Sequence, residues 1–300
     1  MSEQSNAGDS SAITRAYLDS LLVEMRHIDA VEPSTELKLY GHSFTTPIMM
    51  AALSHLDKTR PNGMVEAARG MASVGGVMWT GMGDERELEA ITATGAKTVK
   101  IIKPYADNAI IFKKIEHAQQ CGCIGVGMDI DHQFGSKNCR GSVLNLPMKP
   151  KTLDEIRAFV KATTLPFIIK GVLSEEDAQK CLDAGAGGIV VSHHHGLMDY
   201  AVPPLRILPA IARRVNRNFP IFVDCEMRCG MDAFKALALG ATAVSAGRIL
   251  MPALAAEGAE GVRAVIAAMT SELNWAMAVT CAADLSRIEP SVIWDKNRYC

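Results

Sequence analysis

Aromatic residues are scarce in this sequence: Phe, Trp and Tyr make up 5% of its 300 residues. That leaves little material for a surface that stacks on the bases of a nucleic acid. Neither sign of charge is in excess. Lysine and arginine number 31 against 33 aspartates and glutamates, a net charge of −2, so no basic field argues for nucleic acid and no polybasic patch for a membrane surface. No apolar run approaches the ~18 residues of a membrane-spanning helix. The opening MSEQSNAGDSSAITRAY has neither the basic start nor the apolar stretch of a secretory signal. Eight cysteines are too dilute for a disulfide scaffold and read as reduced thiols of a cytoplasmic protein. Cys121-Gly-Cys123 and Cys225-Glu-Met-Arg-Cys229 also lack the two neighbouring pairs of a zinc site. The expected partner is a small molecule, with no nucleic acid and no membrane.

What is present is a repeat. Apolar residues make up 48% of the chain, enough for a sizeable core. From residue 46 onward a short apolar run, a Gly or polar turn and a helix-period segment recur. The strand candidates are Pro47–Ala51, Gly76–Thr80, Thr98–Lys103, Cys123–Ile130, Pro166–Gly171, Gly188–Ser192, Pro220–Asp224 and Thr242–Ala246. Several are apolar throughout, as parallel strands buried on both faces should be. Helical stretches come after them, among them Asp107–Gln120, Leu153–Ala162, Ser174–Ala184 and Met231–Leu239. Eight such units predict a (β/α)8 TIM barrel. A doubly wound sheet would alternate in the same way, but no G-x-G-x-x-G follows the first strand. Residues 46–290 are assigned to the barrel and 1–45 to a short N-terminal extension carrying a helix over Ser11–Arg26, all in one domain of 300 residues. The longest polar connection, Asp131 to Lys151, is a candidate cover over the site.

Barrel enzymes place their chemistry at the C-terminal ends of the strands. Those ends carry Ala51–Ala52, Thr80, Lys100 to Lys103, Asp129 and Asp131, Lys170, Ser192–His195, Asp224–Arg228 and Gly247–Arg248. The opposite ends hold mostly Gly, Ala and Pro. Arg228 after strand seven and Gly247-Arg248 after strand eight suit a phosphate, because glycine admits backbone N–H groups and arginine neutralises charge. Ser192-His193-His194-His195 has three readings. A metal would draw on Asp129 or Asp199, yet neighbours on an extended segment point to opposite faces, so no metal is expected. A general base needs one histidine oriented by a carboxylate. The third reading is polar filling of the barrel mouth. Lys170, at the end of an apolar strand, should face an anion or developing negative charge, or form a Schiff base.

The stretches IIKGVLSEEDAQKCLDAGAGGIVVSHHHGLMDY and PIFVDCEMRCGMDAFKALALGATAVSAGRIL resemble the FMN-dependent α-hydroxy acid oxidase and dehydrogenase family. PIMMAALSH is similar to that family's first strand, whose backbone contacts the flavin around Ala51 and Ala52. The resemblance implies FMN as cofactor and a small-molecule substrate. It also implies a homo-oligomer, a tetramer or octamer. Residue by residue, it makes His194 the catalytic histidine, Asp129 its orienting carboxylate, and Lys170 the cation beside the flavin. Arg228, Gly247 and Arg248 would hold the phosphate and Asp224 the ribityl chain. Thr80, Lys100 and Ser192 complete the cofactor set, and His193, His195 and Lys137 stand toward substrate. The departures are as informative. The family has Asn at His193 and Gly at His195, and its substrate-carboxylate arginine falls on Gly196 or Leu197. A Gln–x–Tyr pair becomes Lys100 and Ile102, and the arginine of the cover maps to Ser136 or Lys137. The resulting expectation is an FMN-dependent oxidoreductase acting on a 2-hydroxy acid or a related alcohol or amine. A flavin-dependent isomerase and a non-catalytic flavin-binding protein remain as alternatives.

Overall fold

Eight short segments, nearly every side chain buried, form the inner wall. They are β1 (Ile48–Met50), β2 (Met78–Thr80), β3 (Thr98–Ile102), β4 (Gly125–Asp129), β5 (Phe167–Val172), β6 (Gly188–Val191), β7 (Ile221–Val223) and β8 (Ala243–Ala246). A computed structural model describes residues 7–136, 139–216 and 218–296. The strands pair in parallel in the order β1-β8-β7-β6-β5-β4-β3-β2, with β8 joined to β1 through Val244–Ile48 and Ala246–Met50. Between β1 and β2 the Met50 N–H donates to the Val77 carbonyl at 3.1 Å, and Leu53 bridges Thr80. The sheet therefore closes into the (β/α)8 barrel expected from the repeat.

The two faces of each strand divide the core. Met49, Trp79, Ile101, Ile168, Val190 and Phe222 fill the interior. Ile48, Met78, Ile102, Ile169 and Ile189 pack outward against the helices. A hairpin of Leu37–Leu39 and His42–Phe44 closes the floor, with Leu37, Leu39 and Phe44 joining the interior cluster. The outer ring comprises α2 (Gly63–Ser73), α3 (Glu85–Thr92), α4 (Asn108–Gln120), α5 (Leu153–Lys161), α6 (Glu175–Asp183), α7 (Pro204–Val215), α8 (Gly230–Ala238), α9 (Met251–Glu257) and α10 (Ala259–Ala278), preceded by α1 (Ser10–Ser20). Asp84, Asp107 and Ser174 cap α3, α4 and α6, and Thr152 with Glu155 forms a capping box on α5.

Helix α1 ends six residues before the predicted Arg26. Leu21–Val23 instead pairs antiparallel with Ile293–Asp295, a long-range pairing that overrides local helical pattern. The same helix reaches across the C-terminal end of the barrel strands. Ser10 Oγ donates to the Met198 carbonyl at 2.6 Å, and Thr14 meets His193 at 2.7 Å. Arg15 holds both oxygens of Asp232 at 2.8 Å and donates to the Glu226 carbonyl at 3.0 Å. The extension thus braces the loops after β6 and β7.

Candidate active site

A cleft of about 550 Å³ opens at the C-terminal end of the barrel, within the ~300–1,000 Å³ usual for ligand sites. A larger cavity of about 740 Å³ lies among Lys38, Pro220, Thr242 and Leu285 at the other end, where barrels carry stability rather than chemistry. Ala51, Ala52 and Gly247 keep one side of the upper cleft low. A Cβ on Gly247 would come into contact with that of Ala51 at 3.4 Å, and small residues line the wall where β1 and β8 meet. Lys170, His194, His195, Asp224, Arg228 and Arg248 supply its polar wall.

The deep end is a buried charge cluster. Lys170 Nζ lies 3.2 Å from Asp129 and 3.4 Å from Asp224, and Lys103 Nζ lies 2.7 Å from Asp129. Burial opposes the charge on Asp129, but Lys103 and Lys170 outweigh it and hold the carboxyl below its usual range. Burial likewise opposes Lys170, and Asp129, Asp224 and Asp131 win by a wide margin, keeping it an ammonium. A charged Lys170 rules out the free-amine form that Schiff-base chemistry needs.

His194 sits beside this cluster in a left-handed conformation, φ 47°, with its backbone N–H donating to Ser192 Oγ at 3.0 Å. Its Nδ1 lies 3.1 Å from Asp131 Oδ2 and 3.7 Å from the nearer oxygen of Asp129. Asp131 is therefore the carboxylate in hydrogen-bond reach of His194, whereas Asp129, expected to orient that ring, lies farther off. The cause is local: both lysines occupy Asp129, while a single 3-10 turn after β4 carries Asp131 back toward β5. Gly171 makes room for it. That residue bulges from β5 at φ 95°, and a Cβ there would fall 2.5 Å from Asp131 Cγ. Asp131 also contacts His132 Nδ1 at 3.1 Å. Burial and then Lys170 push His194 below the ordinary histidine value, against the pull of Asp131 and Asp129. Burial and Lys170 thus favour the neutral ring, whose Nδ1 stands between Asp131 at 3.1 Å and Lys170 Nζ at 3.2 Å.

The other predicted residues divide. His193 turns away from the cleft: the Gly196 N–H donates to its Nδ1 at 3.0 Å, so Nε2–H donates to Thr14. It ties the loop to α1 rather than facing substrate. His195 does line the cleft, where its Nδ1 accepts from Arg248 at 2.9 Å. Lys100 lies outside the cluster, because Val99 and Ile101 take the interior positions of β3. Its Nζ donates to the Gly81 carbonyl at 2.5 Å, and burial and then Lys114 lower it to about 8. Beyond the end of β3, Lys103 recovers the inward phase and joins Asp129. Thr80 and Ser192 are buried away from the cleft lining, and the Thr80 hydroxyl has no hydrogen-bond partner among the described residues. Lys137 falls outside the described residues. Asp129, His132 and His194 lie close enough together to ligate a metal, but two ammonium groups already neutralise Asp129. No helix among the described residues is long and apolar enough to cross a membrane.

Comparison with known proteins places the chain. The family described as FMN-dependent dehydrogenase matches residues 1–153 and 142–295. The chain belongs to the FMN-dependent dehydrogenase family. It is 29% identical over 298 residues to 4-hydroxymandelate oxidase of Amycolatopsis orientalis, covering 88% of this chain and 84% of that protein. It is 30% identical over 289 residues to L-lactate oxidase of Alicycliphilus denitrificans, covering 85% and 79%. A mandelate oxidase variant solved with a monooxide FMN adduct superposes with a TM-score of 0.87 at 30% identity, covering 95% of this chain and 91% of that one. This FMN-dependent dehydrogenase is thus an oxidoreductase on a barrel, with FMN as its cofactor.

The cleft meets that cofactor unevenly. Small residues at 51, 52 and 247 beside a buried ammonium suit an electron-accepting ring that gains negative charge. At the far end Arg228 and Arg248 are in place for a phosphate, but both already hold the buried carboxylate of Glu226, Arg248 at 2.6 Å. In the sequence Glu226 is one more residue of the loop after strand seven, with no part assigned to it. Its signal is the backbone: Cys225 and Glu226 stand in succession at φ 70° and 62°.

Proposed function

We propose that this enzyme oxidises a 2-hydroxy acid, with His194 as the base. The observation that carries the reading is the half-buried His194 held 3.1 Å from Asp131 beside the Lys170 ammonium. FMN, when bound, supplies the acceptor for two electrons. The protein supplies the rest. His194 Nε2 takes the proton released from the substrate, and Asp131 fixes the ring through Nδ1 and stabilises the imidazolium as it forms. Three carboxylates against two ammonium groups leave this end one positive charge short, so a proton on His194 completes its balance. Lys170 would place a positive charge beside the cofactor, and Ala51, Ala52, Asp224 and Gly247 would lie along it.

With glycine or leucine at positions 196 and 197, His195 is the cleft residue able to meet a substrate carboxylate. Its Nδ1 is occupied by Arg248, which leaves Nε2–H to donate. The connection from Asp131 to Lys151 folds into two small hairpins, Gly135–Ser136 with Cys139–Arg140 and Ser142–Val143 with Leu146–Pro147. Its Phe134 and Leu144 stand exposed, which suits a cover that closes on an apolar substituent. An isomerase acting on a diphosphate fits less well, because three carboxylates line the deep end. A cytoplasmic setting is supported by the free thiols of Cys121, Cys123, Cys181, Cys225, Cys229 and Cys281, and a homo-oligomer by family likeness.

Anaerobic titration with aliphatic and aromatic 2-hydroxy acids, alcohols and amines tests this. Bleaching of the flavin by hydroxy acids, lost in His194→Gln, is the expected result. Bleaching by amines or simple alcohols alone would overturn the substrate class.

A further inference from the structure

The loop after β7 carries a carboxylate where the cofactor's phosphate is due. Glu226 is 1% exposed at its side chain, and its two oxygens are divided between the guanidinium groups of Arg228 and Arg248. His195 Nδ1 stands 3.9 Å from the oxygen that Arg248 takes. The arrangement is held from behind, since Arg15 donates to the Glu226 carbonyl at 3.0 Å. It is also held at a conformational cost. Cys225 and Glu226 both adopt the left-handed region, which glycine enters freely and other residues do not. Backbone strain of this kind persists where the surroundings impose it, and it points to function.

Charge sets the terms for a phosphate. Two guanidinium groups and one carboxylate sum to +1. A phosphate monoester brings about −1.5 to −2 near neutral pH, so adding one to the intact cluster reverses its sign and sets two anions against each other. Either Glu226 leaves its buried position, or the phosphate stays at the rim. A flavin that ends in a hydroxyl meets neither obstacle.

From this geometry we infer that Glu226 is a built-in competitor for the flavin phosphate. FMN is then held chiefly by its ring and ribityl portion and exchanges with solution, and Glu226 sets that weak anchoring. The inference rests on the FMN reading of the cleft and adds a specificity-determining residue to it.

The test is flavin binding rather than turnover. Full-length wild type, Glu226→Gln and Glu226→Gly are dialysed free of flavin, checked for folding by circular dichroism, and titrated with FMN and riboflavin while flavin fluorescence is monitored. Wild type is expected to bind the two within about threefold of each other. Both variants should tighten FMN by about tenfold or more, the scale of one charge-assisted contact, and leave riboflavin unchanged. Wild-type FMN that resists dialysis, or that binds about a hundredfold tighter than riboflavin, overturns the proposal and leaves the flavin site standing. So does FMN affinity that falls in Glu226→Gln. Failure of all three folded proteins to bind either flavin overturns the cofactor reading together with the proposal.

Discussion

At the deep end of the cleft, Asp129, Asp131 and Asp224 surround Lys103 and Lys170; at the rim, Arg228 and Arg248 enclose Glu226. Both clusters pair charges within the protein, yet they are left with opposite balances, −1 inside and +1 outside. Burial separates them further. The five deep side chains are 12% exposed or less, whereas the two arginines are 56% and 61% exposed. Removing one partner of a buried pair costs about 3–5 kcal/mol, while pairs open to solvent contribute about 0–1 kcal/mol. The inner cluster is therefore rigid and short of one proton. The outer one sets a single buried carboxylate between two solvent-exposed guanidinium groups and is short of one anion.

The largest effects should come from breaking the inner balance. His194→Ala should slow substrate reduction of the flavin by about 10²–10⁴-fold, the range of a lost general base, as read by stopped-flow absorbance. A rate within a few-fold of wild type would remove His194 from the chemistry. Lys170→Met should lower stability to urea by about 3–5 kcal/mol, because Asp129 and Asp224 lose their shared cation; a loss typical of the rim would erase the contrast between the ends. Gly171→Ala places a methyl against Asp131 at a positive φ. It should cost about 1–3 kcal/mol and slow turnover with it, and an unaffected turnover would free Asp131 from its positioning role.

The pH response sharpens the same comparison. The base form of His194 is needed, and its folded value lies below the ordinary one. Flavin reduction should hold level above that lowered value and fall about tenfold per pH unit beneath it. Stability moves likewise: below the ordinary histidine value the unfolded chain binds a proton that the folded ring refuses, so stability declines as pH falls. Asp131→Asn removes a charge that raises His194 and should shift the rate profile toward lower pH. An unmoved profile would mean that the two groups are not coupled. The smallest effect belongs to the rim, where Arg248→Ala leaves Glu226 paired with Arg228 and should change stability by about 1 kcal/mol or less.

The barrel itself is plain in the sequence because parallel strands buried on both faces write themselves as unbroken apolar runs. Side-chain direction is harder to read. Lys100 and Lys103 both end one run, and only the two-residue phase of β3 decides that Lys103 faces inward. Asp129 and Asp131 are equally eligible carboxylates until a single turn of 3-10 helix and the room above Gly171 select the second for His194. His193 looks as chemical as its neighbours, but its partner Thr14 lies 179 residues away, beyond any local pattern. Glu226 reads as an ordinary rim residue because a sequence shows neither the two left-handed backbone positions nor the arginines converging from separate loops.

Helix α1 is synthesised well before the groups that hold it. Arg15 is separated from the Glu226 carbonyl by 211 positions and from Asp232 by 217. At about 5–20 residues per second, this amounts to roughly 10–40 s of synthesis. A helix of 11 residues has little stability alone, so α1 waits unformed until the loop after β7 is made. A segment made early is thus fitted after the loop it braces. The mouth of the cleft is therefore complete only once the loop after β7 has been made.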